Sequence, residues 1–398
     1  MRELRTAAPA LLWASLLLSA FVVPAFAQDT KAAPAQITGI DDLPHRPLPA
    51  GKFMRWCGRD GYVLMAKKAR PGTASSYWIQ GRSDKVIVEL APTKGLVECD
   101  RTGAGLLINE SSSVKGLITR FDIKQRTTSI VATYATNQFA GGNAISISPD
   151  QKYVAFDSDL VWMNQDEQTG GLKLVSVAHS SGFRIANSLR WSADSSSLLN
   201  VVVLADDPKN PKRHQEALQL IDVSTGKETI DNLPPDTWFE SGVVLEGGKG
   251  LLLFLRPSQN EIRPEPGAVV TCTRAPALSC RALISDVDEV SFSDDGKIAS
   301  VKEVMKNPKV RTDGDSIVVP IAFVTQIRDS SGKLIASQRF TRKKEQWSLH
   351  VLLSPTASEA ALIWEMWSGT AKEVGQSASI VSVDVRPTNK DDNGPARP

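Results

Sequence analysis

The chain has 398 residues, with 46 Lys and Arg against 44 Asp and Glu, and only 4 Cys. So even a balance supplies no electrostatic reason to expect nucleic acid or an anionic membrane as partner. The one basic cluster, Arg339 with Arg342, Lys343 and Lys344, reads as a solvated strand end.

The first residues are set apart from the rest. Arg2 and Arg5 precede an apolar run over residues 7–23, and Ala25-Phe26-Ala27 follows as a small-x-small cleavage pattern. This predicts a Sec-type signal peptide over 1–27 and a mature chain that begins at Gln28 in the periplasm or outside the cell. No Cys follows the cleavage point, so no lipid attachment is expected. Elsewhere the longest apolar burst, residues 251–255, is far too short to span a bilayer, and no stable membrane insertion is expected after cleavage. Residues 28–51 are rich in Ala and Pro and read as a linker, with one short strand expected over 35–40 and His45 solvated between prolines.

From residue 52 the chain repeats itself. The clearest unit is Ile145-Ser146-Ile147-Ser148-Pro149-Asp150, then Tyr153-Val154-Ala155-Phe156: strand, tight turn, strand. Weaker copies start at Trp56-Cys57, Glu98-Cys99, Trp191-Ser192, Leu245, Phe292-Ser293 and Leu353-Ser354, spaced about 42 to 61 residues apart, near the period of a four-strand blade. Between anchors further hairpins follow, as in residues 118–132, 218–233 and 322–340. Residues 208–213 are polar and breaker-rich and read as an exposed loop. Sustained helical spacing is absent. Four strands repeated seven times cannot bury their faces singly but can shield one another radially. The expected fold is all-β, a seven-bladed β-propeller of four-stranded antiparallel blades over 52–386, followed by a disordered tail over 387–398. The last unit is one strand short, and residues 35–40 are expected to supply the missing outer strand.

An exported chain with an even number of Cys is expected to form disulfides. Cys272 and Cys280 flank a hairpin-sized interval, which pairs them. Cys57 with Cys99 follows by elimination and by their matching repeat positions. The short loop contributes about 2.5 kcal/mol and the longer about 4 kcal/mol in the chain-entropy picture. Zinc spacing is absent.

The run Ser148-Pro149-Asp150-Gln151-Lys152-Tyr153-Val154-Ala155-Phe156, with weaker forms at Trp191, Phe292 and Leu353, resembles the WD40-like repeats of the TolB C-terminal propeller family. The resemblance implies an exported bacterial propeller that acts as a binding scaffold. Two departures limit it. A short linker stands where TolB has an α/β domain, and the family's Asp-Arg-Asp-Gly is reduced to Asp157-Ser158-Asp159. TolB's own role and binding residues therefore do not transfer.

Catalytic signatures are few. A Gly-x-Ser-x-Gly elbow is missing, and Gly103-Ala104-Gly105 has Ile108 where a dinucleotide loop needs its third Gly. His179, His214 and His350 are isolated; three blades could bring such residues to one metal, but hairpin-surface roles are the simpler reading. The pairs Asp157/Asp159, Asp206/Asp207, Asp294/Asp295 and Asp313/Asp315 offer calcium oxygens, yet Asp is also a turn former, and no cofactor is expected. Among 9 Trp, Trp56, Trp191, Trp347, Trp364 and Trp367 either grip a peptide or glycan at a channel mouth or fill the wedges between blades. Packing is the simpler reading.

Together these point to a non-catalytic scaffold for a protein, peptide or envelope component. The alternative is a propeller enzyme with a channel-mouth site, such as a lactonase, a quinoprotein-type dehydrogenase or a glycan-active protein. Three or more converging carboxylates or histidines would favour the enzyme; a channel of Ser, Thr and apolar side chains would favour the scaffold.

Overall fold

The computed structural model describes residues 40, 43–58, 62–67, 74–81, 85–93, 95–99, 105–111, 115–135, 145–150, 153–156, 161–165, 172–176, 184–207, 210–234, 237–245, 250–257, 265–274, 278–305, 320–367 and 374–383. All belong to the unit that begins at Ile37. The signal peptide expected over 1–27 and the tail expected over 387–398 lie outside the described residues.

Every long element among the described residues is a strand. The first is β1 (His45–Pro47). Sheet I holds β2 (Lys52–Cys57), β3 (Tyr62–Lys67), β4 (Ser76–Gln80) and β5 (Val86–Glu89). Sheet II holds β6 (Leu96–Cys99), β7 (Gly105–Ser111), β8 (Lys115–Asp122) and β9 (Thr127–Ala135). Sheet III holds β10 (Ile145–Ile147), β11 (Tyr153–Phe156), β12 (Val161–Gln165) and β13 (Leu172–Ser176). Sheet IV holds β14 (Arg184–Trp191), β15 (Ser197–Asp207), β16 (Asn210–Asp222) and β17 (Glu228–Asn232). Sheet V holds β18 (Trp238–Val244), β19 (Gly250–Arg256), β20 (Gly267–Thr273) and β21 (Ser279–Val287). Sheet VI holds β22 (Glu289–Phe292), β23 (Ile298–Val304), β24 (Ala322–Arg328) and β25 (Leu334–Thr341). Sheet VII holds β26 (Gln346–Leu353), β27 (Glu359–Trp367) and β28 (Val374–Ser382), with β1 as its fourth strand. The described strands thus form seven four-stranded sheets, six of them antiparallel meanders in chain order.

Neighbouring first strands stand side by side: β2 with β6, β10 with β14, β14 with β18, β18 with β22, and β22 with β26. Apolar clusters fill the wedges between sheets. Leu64, Ile79 and Val97 join I to II, Leu218, Leu220 and Leu253 join IV to V, and Leu252, Val269 and Ile298 join V to VI. Val301, Phe323, Val351 and Leu362 join VI to VII, and Phe53, Val63, Ala361 and Ile380 join VII back to I. The second strands β3, β19, β23 and β27 are therefore covered on both faces, so they read as apolar runs rather than alternating ones. Leu251, Leu252 and Leu253 are all 0% exposed.

The expected closure is corrected. The outer strand of sheet VII is β1, in register His45↔Val381, Arg46↔Ile380 and Pro47↔Ser379, and not residues 35–40. Of that segment only Ile40 is described, and it is a buried core residue outside any strand. An outermost strand needs no N–H on its open side, so prolines that look like linker punctuation fit there. Pro44 O accepts from Ser382 N at 3.2 Å, and Leu48 N donates to Ala378 O at 2.9 Å. Residues 210–213 also depart from the expected loop, while 208–209 lie outside the described residues. Strand β16 already begins at Asn210, and its register shifts between Asp206↔His214 and Asp207↔Asn210 accommodate Pro211 in an irregular stretch.

Four of the anchor turns share one device. Ser148, Ser192, Ser293 and Ser354 are at most 1% exposed. Their hydroxyls accept the N–H of Tyr153, Ser197, Lys297 and Glu359 at 2.9, 2.9, 2.9 and 3.2 Å. Each serine N–H donates back to the carbonyl of the same residue. In three of them the hydroxyl proton goes to the Asp two positions on, Asp150, Asp194 or Asp295. A hydroxyl can donate and accept at once, which is why Ser-x-Asp closes the turn without an orphaned polar atom. Sheets I and II carry Cys57 and Cys99 at the equivalent register, and these form a disulfide with Cα atoms 5.1 Å apart. Cys272 and Cys280 pair directly across β20 and β21.

The outer hairpins share a second device. Asp122, Asp222 and Asp329 each accept backbone N–H groups of their own turn. The hydroxyls of Ser224 and Ser331 are the main reason that Asp222 and Asp329 lie below the usual carboxylate range. Gly226 (φ 69) takes the left-handed position after Asp222, whereas Arg126 (φ 55) takes it after Asp122.

Arg126→Gly is expected to raise stability by about 1 kcal/mol by removing the Cβ clash of the left-handed position, read by chemical denaturation. Truncation through Leu48 removes β1 with buried Ile40 and Leu43. At about 2 kcal/mol for each buried side chain, it is expected to cost at least about 4 kcal/mol and to lower the melting temperature.

Candidate functional site

First-to-second-strand turns and third-to-fourth-strand turns of a meander lie at the same end of the sheet. At this end a cavity of about 700 Å³ opens among four consecutive sheets. Sheet IV contributes Ala193 and Asp194, sheet V Leu245, sheet VI Asp294, Asp295 and Ser330, and sheet VII Pro355 and Thr356. The turns are tied to one another: Asp294 N donates to Pro355 O at 2.9 Å, and three sheets earlier Asp150 N donates to Ser195 Oγ at 2.9 Å. Asp194 Oδ1 is held by Ser192 and Ser196, and Asp295 Oδ1 by Ser293, so both carboxylates are fixed by the turns they close. Among the described residues the lining has three carboxylates and no Lys or Arg. Lys297 Nζ stands 3.7 Å from Asp295 Oδ2 beside it. Chemically the cavity suits a cationic group with an apolar stem.

Inside the ring, Arg55 on β2 pairs with Glu98 on β6. Burial, and then the positive charge of Arg190 on β14, pull the Arg55 guanidinium down to about 10. A charge three sheets away acts on Arg55 because first strands face a common axis.

The seam of sheets VI and VII holds a polar cluster. His350 Nδ1 lies 2.6 Å from Glu289 Oε2, and Nε2 lies 3.1 Å from Ser348 Oγ and 3.6 Å from Glu365 Oε1. Ser348 Oγ donates to Glu365 Oε2 at 2.9 Å. Burial pulls the imidazole down, but hydrogen bonds and charge from Glu289 and Glu365 outweigh it, so its pKa is raised. Alternation on β26 puts Ser348 and His350 on one face, a two-residue spacing visible in the chain but uninformative without Glu289 opposite.

Three of the tryptophans pack between sheets. Trp56 donates Nε1 to Leu352 O at 3.0 Å across the I–VII seam and meets Phe53 edge-on. Trp191 is 1% exposed and stacks on Tyr153 of sheet III at 6.1 Å. Trp364 packs edge-on against Phe323 and Phe340 of sheet VI. Trp347 is half-buried on β26. Trp367 ends β27, paired to Val374, and its side chain lies outside the described residues. Trp56, Trp191 and Trp364 thus sit at three different seams.

Of the remaining candidates, His45 is exposed on β1. His179, Asp157/Asp159 and Asp313/Asp315, and the side chains of His214 and Asp206/Asp207, lie outside the described residues. Among the described residues no group of three His, Cys, Asp or Glu is arranged to hold a metal ion. Arg342 of the basic cluster donates to Gln346 O at 2.6 Å, fastening the turn before β26.

No family model matches the chain, and no curated protein matches it. Among solved structures it is similar to Porphyromonas gingivalis dipeptidyl peptidase 4, at 12% identity over 86% of this chain and a TM-score of 0.45. The chain spans 60% of the length of that one. It is also similar to the β-propeller domain of the Trilobed protease from Pyrococcus furiosus, at 10% identity, covering 88% of this chain and 99% of that one, with a TM-score of 0.50. The second likeness shows the β-propeller fold and no more.

Trp364→Ala is expected to cost about 3 kcal/mol through the void left beside Phe323 and Phe340, seen as a lower denaturation midpoint. Affinity for any ligand at the turn-side cavity should stay unchanged in that variant.

Proposed function

We propose that this chain is an exported, periplasmic propeller that performs no chemistry and binds a basic segment of an envelope protein or peptide at the turn-side cavity. The supporting observation is the cavity itself, in which turns from four consecutive sheets present Asp194, Asp294 and Asp295 beside Leu245 and Pro355. Asp194 and Asp295, held in place by their own turns, lose little side-chain freedom on binding, which favours affinity. A Lys or Arg stem can lie along Leu245 and Pro355 while its charge reaches the carboxylates.

The TolB-like repeat reading belongs to this proposal and draws on the serine-centred turn recurring in four sheets. The two disulfides fit an oxidising compartment. The enzymatic alternative would draw on His350 with Glu289 and Glu365. Those carboxylates favour the protonated ring, and the Ser348 hydroxyl donates to Glu365, which suits neither a general base nor an activated nucleophile.

The test is isothermal titration of the mature chain with tetralysine and with tetraglutamate. Tetralysine is expected to bind, with affinity that falls as salt rises, and Thr356→Lys is expected to abolish it. Equal behaviour of the two peptides would reject the reading.

A further inference from the structure

We infer that Ser348, His350, Glu289 and Glu365 form a proton-dependent latch that fastens sheet VI to sheet VII beneath the turn-side cavity. Its consequence for ligand affinity rests on the binding reading above; the latch itself does not.

Three links climb this seam in order. His350 meets Glu289 at 2.6 Å, Leu353 N donates to Ser291 Oγ at 3.1 Å, and Asp294 N donates to Pro355 O at 2.9 Å. The last lies in the cavity wall. Strands β22 and β26 therefore connect the latch to the rim without an intervening loop.

The protonated ring satisfies every group in the cluster. Nδ1–H donates to Glu289, Nε2–H donates to Ser348 Oγ, and the Ser348 proton goes to Glu365. Loss of the ring proton breaks one of these bonds and removes the positive charge between two carboxylates. Charged groups facing the ring are Glu289 from β22 and Glu365 from β27. Strand β23 also packs on β26 and carries Lys302 and Glu303, but the Lys302 ammonium is held by Asp286, and neither residue contributes to the His350 shift. Because the folded pKa is raised, the stabilisation is fully present below the ordinary histidine value of about 6.5 and is lost as pH rises through the raised value.

The experiment is amide exchange of the mature chain, corrected for the intrinsic rate, between about pH 6 and about pH 9, bracketing the histidine range. Protection of the Asp294 amide is expected to fall several-fold as pH rises, while that of Phe53, bonded to Gln376 Oε1 on the other side of sheet VII, holds. His350→Gln is expected to flatten the Asp294 profile. Should that variant fail to fold, Glu289→Gln serves, with the His350 ring titration moving down by NMR. A flat native profile, or one that either folded variant leaves unchanged, would overturn the latch. Failure of tetralysine to bind while Asp294 keeps its pH dependence would reject the binding reading alone.

Discussion

No sheet in this chain can hide its own apolar faces. A middle strand such as β19, apolar at Leu251 through Leu255, is shielded above and below only because sheets IV and VI lie against it. The stability of each unit is thus lent by its neighbours, and the arrangement holds only if the last sheet also finds the first. Phe53, Met65 and Ile363 at the VII–I seam do this with the same apolar chemistry used elsewhere. Closure differs only in drawing β1 and β28 from distant parts of the chain.

The turns solve a second problem raised by that packing. Bringing first strands together around an axis buries the hairpin corners, where backbone N–H groups would be stranded. Serine answers with one hydroxyl in two hydrogen bonds, and the following Asp fixes its direction. In sheets I and II a covalent link replaces this device at the same place, so the two chemistries are alternative solutions to one steric demand. The cavity is a by-product of that solution. The carboxylates that stabilise the turns are also the ones left facing the water between them.

What could be read from the residues follows the same physics. The anchors were legible because a buried Ser and a turn-forming Asp leave a compact local pattern, and both Cys pairs because spacing and register constrain them. Strand β1 was not, since Pro44 and Pro47 look like breakers unless the strand is known to be outermost. Nor was the start of β16, where Pro211 sits in an irregular stretch of the pairing. Trp56, Trp191 and Trp364 could be read as packing or as a binding surface, and only their cross-sheet partners distinguish the two. The His350 cluster was invisible because Glu289 and Glu365 come from other strands and only ring geometry brings them within reach. Local chemistry leaves a local trace; convergence does not.

Strand β1 enters the ring at His45, directly opposite Val381, and β28 leaves it at Ser382. The two chain directions therefore emerge side by side at one corner of sheet VII. Tension applied between them would load the β1–β28 hydrogen bonds one at a time, as a zipper, rather than all together in shear. A ring whose sheets shield one another would thus open, under such tension, from a seam of three residue pairs.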